Sequence, residues 1–480
     1  MQVSNEVKNA YHSDAEIKHI HLSFPEIGVE IAEAQIYQES LKLSEKLMDS
    51  NSISFVGCIA SQFKIQINNL KEDVKGRKIT VSISTESTQE EKIPLFHGIV
   101  DSAMRQSNKR IKEIVAYDEL YTKGNIDVSS WYRSLTFPLS LKQIRDSLFN
   151  YIGITQLEMM LPNDGIMIQK QYEPNTLQSL SVIKAVCQIN GAFGIINRDG
   201  KFEYRILGEI KETGTYPSMT LFPGHDVFPG AGEISGGYND VAPEGFSFYR
   251  NVDYEDFTVK PVDKLTIRQT DNDSGVTHGQ GTNNYIIQGN MFTYGLSAEV
   301  LSAIARNIYP NIQGFSYCPF TSQNNGLPFL ECGVDAVTYM MIDHDKLETR
   351  QNGRSARSGE IPYKNQSFYI LNRELSGIQA LKDSYSADGE EYQSEFITDL
   401  QTQIDIIKQN AGTDVKEYVK DYAYDKSYID DHFYDSGQID DMFSQFEPSS
   451  GGLKVESVSS LPSSPDQNTI YLIQGKVVVE

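Results

Sequence analysis

From Ile17 to Val115 apolar and polar positions alternate in short runs. IKHIHLSF alternates and stops at Pro25. SQFKIQINNL sets Phe63, Ile65 and Ile67 against polar neighbours, and RKITVSIS does the same with Ile79, Val81 and Ile83. A period of two puts every second side chain on one face, so these runs predict strands with one buried face. IPLFHGIVDSAMRQSNKRIKEIVAYDEL, Ile93 to Leu120, predicts a hairpin with strands Leu95 to Val100 and Ile111 to Tyr117 around the polar RQSNKR. Gly98 in mid-strand forfeits stability, which marks a bulge or a close backbone approach. About five strands joined by turns predict a small barrel or sandwich.

From Asp118 the period lengthens. In PLSLKQIRDSLFNYIG, Ser140 and Gln143 have capping-box spacing, Leu141, Ile144 and Leu148 share a face, and Gly153 ends the helix. TLQSLSVIKAVCQING predicts a second helix that buries Leu180, Ile183 and Val186 or Cys187. It is followed by a hairpin, AFGIINRDGKFEYRIL, turning at Asp199-Gly200. Residues 213–290 are Gly-rich and irregular between short aromatic strands. A helix, LSAEVLSAIARNIY, is expected to end at Pro310. Strand-like pieces run from Gln313 to Met341 and again at QSFYILNREL. In FITDLQTQIDIIKQNAG, Ile397, Leu400, Ile404, Ile407 and Ala411 recur at threes and fours. This reads equally as two heptads favouring more than two strands or as an ordinary amphipathic helix. YIDDHF and QIDDMF then repeat, PSSGGLK reads as a flexible linker, and NTIYLIQGKVVVE is a short β tail.

Composition narrows the classes. The 480 residues, 39% hydrophobic and 22% charged, fit a folded soluble protein of several domains. No apolar run is long enough to span a membrane, and the first residues lack a signal-peptide pattern, so the chain is expected to be made in the cytoplasm or to leave it without a signal. Cys58, Cys187, Cys318 and Cys332 are widely spaced without a CxxC pair and read as buried thiols. The net charge of −23 argues against non-specific DNA binding, because it repels phosphate.

No catalytic signature is present: no GxSxG, HExxH or GxxxxGK[ST]. His19 and His21 would share one strand face, but without a nearby third ligand they read as ordinary strand residues rather than a metal site. Asp271 to Gly275, DNDSG, lacks the further acids of a calcium loop and reads as a turn. The pairs Asp430-Asp431 and Asp440-Asp441 lie in the short repeat and read as a solvated face rather than glycosidase acids. Neither a cofactor nor a metal is expected.

Several segments, in chain order, carry a family resemblance. They are SFVGCIASQFKIQIN, IPLFHGIVDSA, IVAYDEL, LTFPLSLKQIRDSLFNYIGITQ, INGAFGIINRDGKFEYRIL, IIQGNMFTYGL and LNRELSGIQALKDSYSADGEE. Together they resemble the phage tail hub, or tail-associated baseplate-hub, proteins of phages and prophages of Gram-positive bacteria. The resemblance spans most of residues 15–390. It implies an α+β, mostly β chain with two tail-tube-like β-barrels, an inserted α+β domain and a C-terminal helical and β extension. The domains expected are 1–120, first barrel; 121–212, α+β insert; 213–385, second barrel with an accessory helix; 386–448, helical segment; and 449–480, linker and β tail. It further implies a homotrimeric ring at the virion tail tip, for which the heptad spacing of Ile397, Leu400, Ile404 and Ile407 offers a candidate seam. The implied partners are a distal tail or tube protein, a tape-measure protein and, through the C-terminal tail, a receptor-binding protein, with DNA passing non-specifically through the lumen. An acidic wall suits such a conduit, although solubility alone also accounts for the charge. The alternatives from other classes are a tail-associated peptidoglycan hydrolase and a tail-tip adhesin for wall glycan. Relatives with a lysin carry a longer extension than the stretch after residue 390.

Overall fold

The computed structural model describes residues 3–13, 15–48, 57–105, 107, 110–169, 174–207, 249–270, 273–342, 363–391, 454–458, 469–473 and 476–478. The chain divides into two units, Met1–Asn410 and Ala411–Glu480.

The first unit opens with α1 (Asn5–His12), capped by the Ser4 hydroxyl. Strands β1 (Lys18–Phe24), β2 (Val29–Ile31), β3 (Lys42–Lys46), β4 (Gln62–Asn68), β5 (Lys78–Thr85), β6 (Ile93–Arg105) and β7 (Ile111–Tyr117) follow. The predicted alternation holds: inward residues of β1, β4 and β5, including Ile20, Phe63, Ile65, Ile67, Ile79, Val81 and Ile83, are buried. Strand β6 is longer than its apolar stretch predicts and runs on through Arg105. Gly98 is a close approach: a Cβ there would stand 2.3 Å from the Tyr117 carbonyl oxygen and 2.5 Å from the Phe96 ring. The bulges lie on either side of it, where the pairing shifts between Val81 and Ser82 on β5 and between Val100 and Ser102 on β6.

Next come α2 (Glu119–Lys123), α3 (Ser129–Ser134), β8 (Leu139–Ser140), α4 (Leu141–Ile152), β9 (Met167–Ile168), α5 (Ser179–Gln188), β10 (Phe193–Ile196) and β11 (Phe202–Arg205). The Ser140–Gln143 capping box forms, and Gly153 closes α4 in the left-handed conformation. Helix α5 buries Ile183, Val186 and Cys187, with Leu180 partly buried against the core. Strands β10 and β11 pair as the predicted hairpin, with Gly200 at φ +75°. Arg145 of α4 lies inside this layer, bonded to Asp164 at 2.8 Å through both Nε and a terminal nitrogen and 5.4 Å from the centre of the Tyr204 ring.

The rest of the unit holds β12 (Tyr249–Tyr254), β13 (Lys264–Arg268), β14 (Val276–Gly279), β15 (Asn284–Gln288), α6 (Ala298–Ile312), β16 (Phe320–Asn325), β17 (Ala336–Ile342), β18 (Tyr363–Tyr369), β19 (Asn372–Ser376) and β20 (Lys382–Ala387). Helix α6 does not stop at Pro310. A proline in the last turn forfeits one hydrogen bond, and the fully buried Ile308 and Ile312 hold the extra residues in place. Strands β13, β14 and β15 form their own sheet, on which α6 packs through the Tyr309 hydroxyl, 2.6 Å from the Asp263 carbonyl oxygen.

Strands from both ends of the unit share one sheet of order β12-β16-β20-β19-β3-β4-β7-β6-β5-β1-β2. The joint is the antiparallel pair β3–β19, with Leu43 opposite Leu375, both buried. The described strands of the single chain therefore form an open sheet with edges at β2 and β12, and no barrel closes among them. The second unit holds β21 (Lys454–Val458), β22 (Thr469–Ile473) and β23 (Lys476–Val478). Strand β21 pairs parallel with β22, and the tail hairpin β22–β23 is antiparallel.

Candidate functional site

The joint between the two strand groups is built around buried charge. Arg373 of β19 faces inward in phase with Leu375, and Asp383 of β20 faces inward in phase with Tyr385. Their side chains, both fully buried, meet in a two-pronged pair at 2.8 and 2.9 Å. Arg373 also donates to Glu45 at 3.2 Å and to the carbonyls of Leu330 at 2.7 Å and Leu327 at 3.0 Å. Asp383 accepts two more bonds at 2.8 Å, from the Leu327 amide and the Tyr385 hydroxyl. Burial opposes the charge on Arg373, and the Asp383 carboxylate outweighs it, so the guanidinium stays firmly charged.

The same cluster reaches the α+β layer. Glu45 of β3 also accepts from Arg198, in the β10–β11 turn, at 3.3 Å. Arg198 donates to the carbonyls of Pro328 and Leu330. Arg205 of β11 bonds Glu331 at 3.0 Å and the Cys332 carbonyl. Burial alone would raise the Glu331 carboxyl, but Arg198 and Arg205 hold it below its ordinary value. Three arginines and three carboxylates thus fasten β3, the β10–β11 hairpin, the 327–332 loop and β19–β20 to one another. Such a cluster holds these segments in a fixed arrangement.

A second polar region lies on the outer face of β1 and β5. A groove of about 710 Å³ is lined by His19, His21, Ser23, Thr80, Ser82 and Ser84 among others. His19 Nδ1 is 2.9 Å from Glu33 and Nε2 is 2.6 Å from Glu86, in two single-turn 3-10 segments, Glu33–Gln35 and Glu86–Thr88. These carboxylates raise the pKa of His19 above its ordinary value. His21 meets the Ser84 hydroxyl at 2.9 Å and is lowered, first by burial and then by Lys92 and His19.

His19 and His21 share a strand face as the sequence predicts, and both are engaged with protein groups. Among the described residues no group of three or more His, Cys, Asp or Glu is arranged to hold a metal ion. Of the DNDSG stretch, Asp271 and Asn272 lie outside the described residues. Asp273 accepts from the amides of Gly275 at 2.9 Å and Gln269 at 3.2 Å, as a turn residue does. Cys58, Cys187 and Cys332 are buried thiols, whereas Cys318 is partly exposed. Ile397, Leu400, Ile404 and Ile407, the YIDDHF–QIDDMF repeat and its paired aspartates all lie outside the described residues. The charged joint escapes sequence reading, although one signal exists: Arg373 and Asp383 occupy inward phases of alternating strands.

No family model matches the chain, and no curated protein matches it. Solved structures that align with the chain include the 43 kDa tail protein of prophage MuSo2 from Shewanella oneidensis, at 12% identity and TM-score 0.45, covering 77% of this chain and 97% of that one. The tail protein from Neisseria meningitidis MC58 aligns at 10% identity and TM-score 0.41, over 78% and 97%. Prophage tail protein gp18 from Listeria monocytogenes EGD-e aligns at 11% identity and TM-score 0.43, over 77% and 95%. No helix among the described residues is long and apolar enough to cross a membrane.

Proposed function

We propose that this chain is a structural phage tail protein, a hub at the tail tip, and not an enzyme. The carrying observation is the ordered series of hub-like sequence segments. They fall on β4, β6, β7, α4, β10–β11, β15 and β19–β20, and so supply both strand groups and the layer between them. The buried Arg–carboxylate joint supports a mechanical role, because it fixes the groups rigidly.

In this reading three copies form a ring, each contributing its two strand groups as tube-like modules with the α+β layer as an insert. The ring extends or closes the tail tube, meets a distal tail or tube protein and a tape-measure protein, and lets DNA pass. Ile397, Leu400, Ile404 and Ile407 form the trimer seam, and the C-terminal strands attach a receptor-binding protein. The domains take the boundaries 1–120, 121–212, 213–385, 386–448 and 449–480.

Light scattering of the purified chain, with negative-stain images of the same peak, tests the ring. Three copies of the 54.0 kDa chain give 162 kDa, and a particle of that mass with a central hole is expected. A monomer that stays monomeric when mixed with its tube protein overturns it.

A further inference from the structure

Cys58 and Cys187 are separated by 129 positions in sequence, yet their sulfurs lie 3.6 Å apart. They are 4% and 0% exposed. Cys58 lies on the segment entering β4, which runs beside β10: Cys58 is bridged to Gly194, and the Gly57 carbonyl accepts from the Gly194 amide at 2.9 Å. Cys187 belongs to α5, the helix that packs with β10. The absence of a side chain at position 194 keeps the sulfur site open, since a Cβ on Gly194 would stand 2.8 Å from Cys58 Sγ.

We propose that Cys58 and Cys187 form a redox-responsive staple between the first strand group and the α+β layer. The pair is a dithiol under reducing conditions and closes to a disulfide under oxidising ones. Closure from 3.6 Å to a bond of about 2.05 Å is a local movement. The oxidant is a small-molecule disulfide of the oxidised-glutathione class. The Cys58 thiolate attacks one of its sulfurs and expels one thiolate. Cys187 then attacks Cys58 Sγ and expels the second sulfur, its proton passing to that leaving thiolate. The two protein thiols give up two electrons and two protons, and the oxidant leaves as two thiols. Both sulfurs are buried, so exchange proceeds through transient opening of the Gly57–Cys58 segment, and it is slow. Cys332 and Cys318 have different neighbours: Cys332 Sγ lies 3.6 Å from the Glu45 carbonyl oxygen, and Cys318 Sγ lies 3.2 Å from that of Glu255.

The test uses the full chain, incubated with excess oxidised glutathione or with dithiothreitol, then denatured, alkylated and weighed by mass spectrometry. After oxidation two of the four thiols are expected to escape alkylation, with one peptide cross-link joining Cys58 to Cys187. The thermal midpoint should rise by roughly 5–10 °C and return on reduction, because a long closed loop loses unfolded-state freedom. C58S should lose both effects and C318S should keep them. Four alkylated thiols after oxidation, in a sample whose denatured form does oxidise, overturn the staple. So does a cross-link that maps elsewhere, or a midpoint that falls. None of these readouts depends on ring formation.

Discussion

Arg373 spends every donor it has inside the protein, on Asp383, Glu45, Leu327 and Leu330. Removing it leaves Asp383 charged and buried with two weaker partners. Arg373→Ala should therefore cost about 3–5 kcal/mol, the range for breaking a buried pair from one side. Urea unfolding reads this as a lower midpoint at unchanged slope, and an unmoved midpoint sinks the assignment. Asp118 makes a different case. It caps α2 and accepts from the Ser61 amide at 2.6 Å and the Leu120 amide at 2.9 Å. Burial nevertheless pushes its carboxyl up from 3.8 to about 7. Between those values the native state holds the proton more tightly than the unfolded chain, so stability from this group is lost as pH rises towards 7. Buried His12 pulls the other way: lowered from 6.5 to about 4, it resists the proton that the unfolded chain accepts, and stability falls as pH drops through that window. Because the two slopes oppose each other between about pH 4 and 6.5, the wild-type thermal midpoint should change little there, whereas Asp118→Asn keeps only the His12 effect and its midpoint should climb with pH. Equal profiles would remove Asp118 as the cause.

At the scale of the element, legibility follows from how local the governing interactions are. Helix α4 was readable to the residue because its cap, stop and apolar stripe all lie within it. The Ser140 hydroxyl accepts from the Gln143 amide at 3.2 Å, as the spacing predicts. Ser140→Ala should then cost about 1 kcal/mol, seen as a modest drop in chemical-denaturation midpoint. A change beyond about 3 kcal/mol would mean that the serine does more than cap. Strand β6 was half readable. Gly98 announced a close approach, but the bulges beside it depend on the register against β5 and β7, which no local pattern encodes. Helix α6 outran its proline because Ile308 and Ile312 are held by tertiary packing rather than by propensity.

At the scale of the whole molecule, alternation identifies strands but not their neighbours. Nothing in KLSEK or NRELS says that these two short runs pair, and each is shorter and more polar than the strands read with ease. That single pairing turns two strand groups into one open sheet, where the sequence suggested separate barrels. The charged joint was illegible for the same reason: Glu45, Arg198, Arg205, Glu331, Arg373 and Asp383 converge only after the sheet has formed. The polar outer face of β1 was visible in advance as His19 and His21, but the carboxylates that engage His19 come from two segments outside that strand.

The β3–β19 pair also sets a timetable. Lys42 and Glu374, a diagonal ion pair across it at 2.8 Å, are 332 residues apart. A ribosome adding about 5–20 residues per second needs roughly 15–70 s to get from one to the other. Throughout that interval β3 stands as an uncapped edge of the nascent sheet, with its outer backbone groups open to any passing strand. Its sequence, KLSEK, places lysine at both ends and glutamate between, the kind of charged edge that discourages wrong pairing. The polar character that hid this strand from pattern reading thus protects the unfinished chain until β19 emerges.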